Sequence, residues 1–216
     1  MRIKIAITFD DAYKRQYYVA TLLASKGIKA TFFVPACCRK HPVDAEPLLS
    51  LQEVKEISRM GHEIGSHGCR HINLLNTSYN EVLREVKYSK ELLEEAIGCK
   101  VYGFAYPYGF YNNKIVDLVK QYYDYTVTLH LRRIKSCKRL LYVSHIDEYD
   151  KYILCRLTPK SLFYLIPKLF SNSVMKAEET KLILVFHNEK PRLITTMLNI
   201  FYIFNARFYT VRELLG

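Results

Sequence analysis

Tryptophan is absent from this 216-residue chain, glycine occurs only 8 times and proline 7 times. So sparse a supply of glycine and proline excludes collagen-like and low-complexity architectures. Acidic residues are scarce as well, 21 against 32 lysines and arginines, which leaves a net charge of +11. No apolar run approaches the roughly 18 residues of a membrane-spanning helix. The longest such stretch, Leu193–Phe204, is broken by Thr195, Thr196 and Asn199. The opening Met1–Asp10 has neither the apolar core nor the small-residue cleavage site of a secretory signal. A cytoplasmic protein without a membrane span is the expectation. The 6 cysteines (Cys37, Cys38, Cys69, Cys99, Cys137 and Cys155) form no CxxC pair and no zinc-ribbon spacing. Free, mostly buried thiols in a reducing compartment are therefore expected.

What is present is ordinary globular material, 50% hydrophobic and 25% charged. The length suits one domain spanning 1–216, and no linker or internal repeat divides it. Strand-like runs rich in Ile, Val, Phe and Tyr occur at Ile3–Phe9, Lys29–Val34, His62–Gly65, Val101–Ala105, Tyr125–Leu129, Lys181–Phe186 and Arg207–Val211. Helix-like segments lie between them at Tyr13–Ser25, Leu51–Met60, Ser78–Ile97, Asn113–Tyr122, Lys160–Phe170 and Pro191–Ile203. Two carry clear stop and start signals: Gly27 closes the first, and Ser50 with Glu53 makes a capping box for the second. Such alternation predicts a parallel sheet covered by helices. About seven units in this length fit a distorted, incomplete (β/α) barrel better than an open doubly wound sheet.

The chemically capable residues cluster at one end of these strands. Asp10-Asp11 closes the first, His67 and His71 follow the third, Tyr106-Pro107-Tyr108-Gly109 follows the fourth, and His187 closes the sixth, Lys181–Phe186. In parallel α/β folds the C-terminal strand ends form one face, where ligand chemistry collects. The i, i+4 spacing of His67 and His71, on a helical turn, brings two imidazoles to one side, close enough to share a metal. Adjacent carboxylates point to opposite faces within a strand and reach one site only where the strand ends. Each feature also has an ordinary structural reading, a surface histidine pair or a turn-forming Asp-Asp. His62 reads as a structural histidine, since Ser66 breaks a metalloprotease-type HExxH. The basic, tyrosine-rich composition invites a nucleic-acid reading. Its one dense basic cluster, however, is Arg132-Arg133, Lys135 and Lys138-Arg139, so no specific nucleic-acid partner is expected.

Taken together and in order, Thr8-Phe9-Asp10-Asp11, His67…His71, Phe104–Gly109 and Val185-Phe186-His187 resemble the polysaccharide deacetylase family, carbohydrate esterase family 4. Gly27–Val34 and Gly61–His67 are similar to its connecting segments. The resemblance implies that Asp11, His67 and His71 bind one divalent metal, usually zinc. It implies that Asp10 is the general base and His187 the acid that protonates the leaving amine. The backbone N–H of Tyr108, beside Pro107, would hold the oxyanion. The implied reaction removes acetyl groups from N-acetylated amino sugars, free, polymeric or lipid-linked, with an anionic substrate suggested by the charge. Three departures stand out: Ala12 and Gly68 replace a usual Gly and Ser/Thr, and Ala105 occupies the place of an arginine that orients the base. Arg156 is a candidate to supply that arginine from elsewhere. Tyr13, Tyr106, Tyr108 and Tyr111 are candidates for stacking on sugar. The alternatives are a non-catalytic carbohydrate-binding relative and a basic nucleic-acid binder.

Overall fold

The apolar runs form a parallel sheet, and its register sets the site. A computed structural model describes residues 2–129, 150–160 and 179–216. Within them, β1 (Arg2–Phe9), β2 (Thr31–Val34), β3 (Glu63–Ser66), β4 (Gly103–Ala105), β5 (Tyr125–Thr128), β6 (Leu154–Cys155) and β7 (Glu179–Phe186) follow the order β6-β5-β4-β3-β2-β1-β7. An additional strand, β8 (Arg207–Tyr209), pairs with Lys4–Ala6 of β1, while β2 pairs with Thr8 and Phe9 at its far end. All these pairings are parallel. The two ends of the path meet beyond β6, where Leu157 bridges to Leu184 of β7. Leu157 N–H donates to the Ile183 carbonyl at 2.8 Å and its own carbonyl accepts from Val185 N–H at 2.9 Å. The sheet is thus a curled, incomplete (β/α) barrel, as expected.

The helices are α1 (Gln16–Ser25), α2 (Leu51–Arg59), α3 (Tyr79–Leu83), α4 (Ser89–Ile97), α5 (Asn113–Val119), α6 (Pro191–Ile203) and α7 (Val211–Leu215). The expected Ser50–Glu53 capping box opens α2, and Gly98 at φ 78° closes α4. Two boundaries differ for identifiable reasons. The helix expected from Tyr13 begins at Gln16, because Asp11 and Ala12 take left-handed φ values and Tyr13 bridges to Leu48. Val211, expected to end a strand, opens α7 because Thr210 and Glu213 form a capping box. The predicted Ser78–Ile97 helix is interrupted by a π-helical turn at Arg84–Tyr88. The two-residue β6 was not anticipated. The helix expected over Lys160–Phe170 and the basic cluster at 132–139 lie outside the described residues.

Strand alternation divides the core in two. Ile3, Ile5, Ile7 and Phe9 join the large cluster beneath the helices, whereas Ala6 packs with Phe33, Ala105, Tyr125, Val127, Leu154 and Ile183. The same row as Ala6 continues through buried Thr8 to buried Asp10. Two inner aromatics lie over glycines directly across the sheet: Phe33 is registered with Gly65, and Tyr125 with Gly103. A Cβ at Gly65 would collide with the Phe33 ring, and one at Gly103 with the Tyr125 ring and hydroxyl. Gly103→Ala is therefore expected to destabilise the fold by about 1–3 kcal/mol through overpacking, read from the shift of a urea unfolding midpoint.

Candidate active site

The base of the site is the end of β1. Asp10 N–H still donates to the Phe186 carbonyl (2.9 Å), so its side chain keeps the inward direction of the strand row. There it meets Arg156, which follows β6 and binds both carboxylate oxygens, Nη1 to Oδ1 at 2.5 Å and Nη2 to Oδ2 at 2.6 Å. Arg156 Nη1 also reaches Thr8 Oγ1 at 3.2 Å, and its guanidinium lies 5.5 Å from the centre of the Phe33 ring. Both partners are almost wholly enclosed, with side-chain exposures of 3% and 1%. Burial works to raise the Asp10 pKa, but Arg156, with His67 and His187 adding to it, outweighs burial and holds the carboxylate below its ordinary value.

Asp11 turns out of the strand with φ 70° and points its side chain at the histidine loop. Its buried Oδ1 lies 3.4 Å from His67 Nε2 and 3.2 Å from His71 Nε2, without a hydrogen bond of satisfactory geometry. One ligand atom from each of Asp11, His67 and His71 falls within 4.8 Å of the others. His67 Nδ1 donates to the Ala105 carbonyl at 2.8 Å, which turns Nε2 toward the cluster. An orphaned carboxylate oxygen facing two imidazole nitrogens is the donor set of a divalent cation, and the three residues fit one. Asp11 is held ionised: burial opposes this, but the close ring nitrogens of His67 and His71, together with the charge of His67 and His187, lower its pKa. Burial likewise works against charging both imidazoles. The carboxylates Asp10 and Asp11 overcome it at His67, whose pKa is raised, whereas burial prevails at His71, whose pKa is lowered.

Two expectations about this loop are corrected. His67–His71 is not a helical turn; Gly68 at φ 76° and His71 at φ 54° fold it irregularly, yet the imidazole centroids come within 4.7 Å. The thiols are not all free, because Cys37 and Cys69 form a disulfide and Cys155 is also disulfide-bonded. The reason lies in strand register. Val34 pairs with Ser66, and continuing three residues along both chains brings Cys37 opposite Cys69. The extension is marked by Ala36 N–H to the Gly68 carbonyl at 2.9 Å and Cys37 N–H to the Cys69 carbonyl at 2.8 Å. Paired cysteines give no support to a reducing compartment.

The remaining rim residues line the same cavity of about 390 Å³. Tyr108 sits at φ 58° in a tight turn over Pro107–Gly109, with its ring edge-on to His71 at 4.6 Å. Tyr108 is half exposed, whereas Tyr106 and Tyr13 are buried, which corrects their expected role as stacking surfaces. His187 Nε2 lies 3.9 Å from Asp10 Oδ2. Gln16 Nε2 donates to the carbonyls of both Asp10 (2.6 Å) and His187 (2.8 Å), tying the ends of β1 and β7 together. His62 is structural as read, since Nδ1 accepts from Ala30 N–H and Nε2 donates to the Ala20 carbonyl. One rim imidazole escaped the sequence reading. His41 Nδ1 donates to Asp44 Oδ1 at 3.0 Å and its Nε2 lies 3.9 Å from Asp11 Oδ2. A lone histidine in a loop carries no periodic or spacing signal.

The family model described as polysaccharide deacetylase matches residues 2–127. The peptidoglycan-N-acetylglucosamine deacetylase of Bacillus cereus is 30% identical over 119 residues, 54% of this chain and 52% of that protein. The chain spans 35%, 41% and 52% of the lengths of three curated relatives it matches. A solved structure of T48 deacetylase with substrate has a TM-score of 0.63 at 18% identity, covering 98% of this chain and 89% of that one. Wild-type BA3943 of Bacillus anthracis, a CE4 family pseudoenzyme, has a TM-score of 0.66 at 18% identity, covering 100% of this chain and 66% of that one. At such identities the structural likeness establishes the fold alone.

The geometry makes two predictions. Removing Arg156 strands a buried carboxylate, so Arg156→Ala should cost about 3–5 kcal/mol at neutral pH. Because the folded-state pKa of Asp10 is depressed, the pair's contribution is complete above the unfolded value near 4 and fades as pH falls through the folded one. The gap between wild type and variant in urea denaturation should therefore narrow below about pH 4. The disulfide bridges a sequence separation of 32. Cys37→Ser with Cys69→Ser should lower stability by about 3–4 kcal/mol on loop-closure grounds, read from the urea unfolding midpoint under non-reducing conditions.

Proposed function

The chain belongs to the polysaccharide deacetylase family, and on that premise we propose that it hydrolyses the acetamide of N-acetylated amino sugars with the help of one divalent metal. The observation that carries this reading is the single cavity into which Asp10 with Arg156, the Asp11–His67–His71 cluster and His187 all open. Asp11, His67 and His71 would hold the cation, zinc being the first candidate for two imidazoles and a carboxylate. When bound it supplies Lewis acidity, polarising the amide carbonyl and acidifying water.

The protein's own groups complete the reaction. Asp10, kept ionised and aimed by Arg156, takes the proton from the water that attacks the acetyl carbon. His187 then delivers a proton to the nitrogen as the C–N bond breaks, so acetate and a free amine leave. The backbone of Tyr108, in its left-handed turn beside Pro107, faces the developing oxyanion. Arg156 takes the part of the arginine absent at Ala105, reaching the base from a different strand. Tyr108 and Phe110, both exposed and with rings 6.3 Å apart, offer apolar faces to a sugar. The net charge of +11 supports an anionic glycan or a phosphate-linked or lipid-linked sugar. The Cys37–Cys69 disulfide supports oxidising surroundings rather than the cytoplasm. No helix among the described residues is long and apolar enough to cross a membrane.

The test pairs metal analysis with acetate release from N-acetylglucosamine oligomers, peptidoglycan fragments and nucleotide-linked sugars. One metal per chain and measurable acetate are expected. Asp10→Asn should lower kcat by about 10²–10⁴-fold with metal content retained, and His67→Ala with His71→Ala should abolish metal binding. Glycan binding without acetate release, unchanged by Asp10→Asn, would instead identify a non-catalytic relative.

A further inference from the structure

Behind the histidine loop lies a buried carboxylate that the proposed reaction does not use. Glu85 has 0% exposure and sits in the π-helical turn Arg84–Tyr88. Its Oε2 accepts from the backbone N–H groups of Cys69 (2.7 Å) and Arg70 (2.8 Å), and its Oε1 accepts from Arg70 Nε at 2.8 Å. Cys69 and Arg70 stand between His67 and His71. We propose that Glu85 is a positioning residue for these two histidines, holding their loop in the cation-ready shape through the two amides. The inference rests on the metal reading of Asp11, His67 and His71.

Three observations support it. A π turn adds a residue to the helical repeat and re-aims its side chains; such turns recur at functional sites. The same turn grips the other side of His67, because Ser89 Oγ donates to the Glu85 carbonyl and lies 2.8 Å from Ser66 Oγ, which accepts from Gly68 N–H at 3.1 Å. Finally, a Cβ at Gly68 would lie 3.0 Å from Glu85 Oε2, so the loop approaches the carboxylate closely where it has no side chain. A loop with Gly68 at φ 76° and His71 at φ 54° would otherwise relax toward commoner backbone angles. The half-exposed Arg70 side chain is a separate partner of Glu85, since Arg70→Ala leaves both amide hydrogen bonds in place.

The experiment measures Zn²⁺ affinity by chelator competition for wild type, Glu85→Gln, Glu85→Asp and Arg70→Ala, along with the d–d spectrum of each Co²⁺-loaded protein. Outer-sphere changes at metal sites typically cost about 10–100-fold in affinity. That loss, with an altered Co²⁺ d–d spectrum, is expected for Glu85→Gln and Glu85→Asp, while Arg70→Ala stays within about threefold of wild type. Hydrogen exchange at the Cys69 and Arg70 amides of metal-free wild type gives a reading that needs no variant: slow exchange is expected. Wild-type affinity in a folded Glu85 variant, or fast exchange of those two amides, overturns the proposal. Failure of wild type itself to bind zinc rejects the metal reading instead, and with it this inference.

Discussion

The ion pair between Asp10 and Arg156 is the constraint on which the site depends. It joins the C-terminal end of β1 to the residue after β6, two strands separated by four others in the sheet. The next residue, Leu157, makes the bridge to β7 that brings the sheet's ends together. Barrel closure and the placing of the guanidinium are thus one event in the chain. A buried carboxylate with a bidentate guanidinium is weak evidence for net stability, because desolvating both ions consumes most of their attraction. What it does supply is direction. Nη1 and Nη2 occupy both oxygens of Asp10, so the carboxylate plane is set by the guanidinium rather than by a rotamer choice. Asp10 also stays ionised in an enclosed place where burial alone would favour protonation.

Much of this was legible in the sequence because parallel sheets bring their C-terminal ends to a common rim. Asp10, Asp11, His67, His71, Tyr108 and His187 could be placed there from four strand-like runs before any contact was known. Arg156 could be named only as a candidate, since β6 is two residues long and too short to show a period. The disulfide was illegible for a different reason. Its cysteines are paired by the register of β2 on β3, and register is decided by how strands dock, not by spacing along the chain. Glu85 was hidden by the π turn: a reading at 3.6 residues per turn rotates every position past an extra residue onto the wrong face. His41 was hidden because loops have no period at all.

The left-handed backbone of the rim follows from a geometric demand. Successive strand residues point to opposite faces, so with Asp10 inward an extended Asp11 would point toward the helices. Bringing two adjacent carboxylates to one cavity requires the chain to leave β geometry at once, and Asp11 and Ala12 do so at φ 70° and 57°. Ala12, where relatives commonly have glycine by resemblance, adopts this conformation with a Cβ that disfavours it by about 1–2 kcal/mol. His71 and Tyr108, at φ 54° and 58°, answer the same demand on two other loops.

Such backbone persists only where neighbours over-determine it, and each loop has its own restraint. Gln16 grips the Asp10 and His187 carbonyls, and Leu49 N–H holds the Ala12 carbonyl at 2.8 Å. The Cys37–Cys69 disulfide and Glu85 hold the histidine loop. The Tyr108 turn is closed by Gly109 N–H on Tyr106 and Phe110 N–H on Pro107. The restraints on the first two loops arise outside the cavity, from α1, the loop before α2, the loop after β2 and the π turn. The helical layer therefore does more than cover apolar strands. It fixes the conformations that let residues from separate strand ends share one cavity, which strand geometry alone would direct to opposite faces.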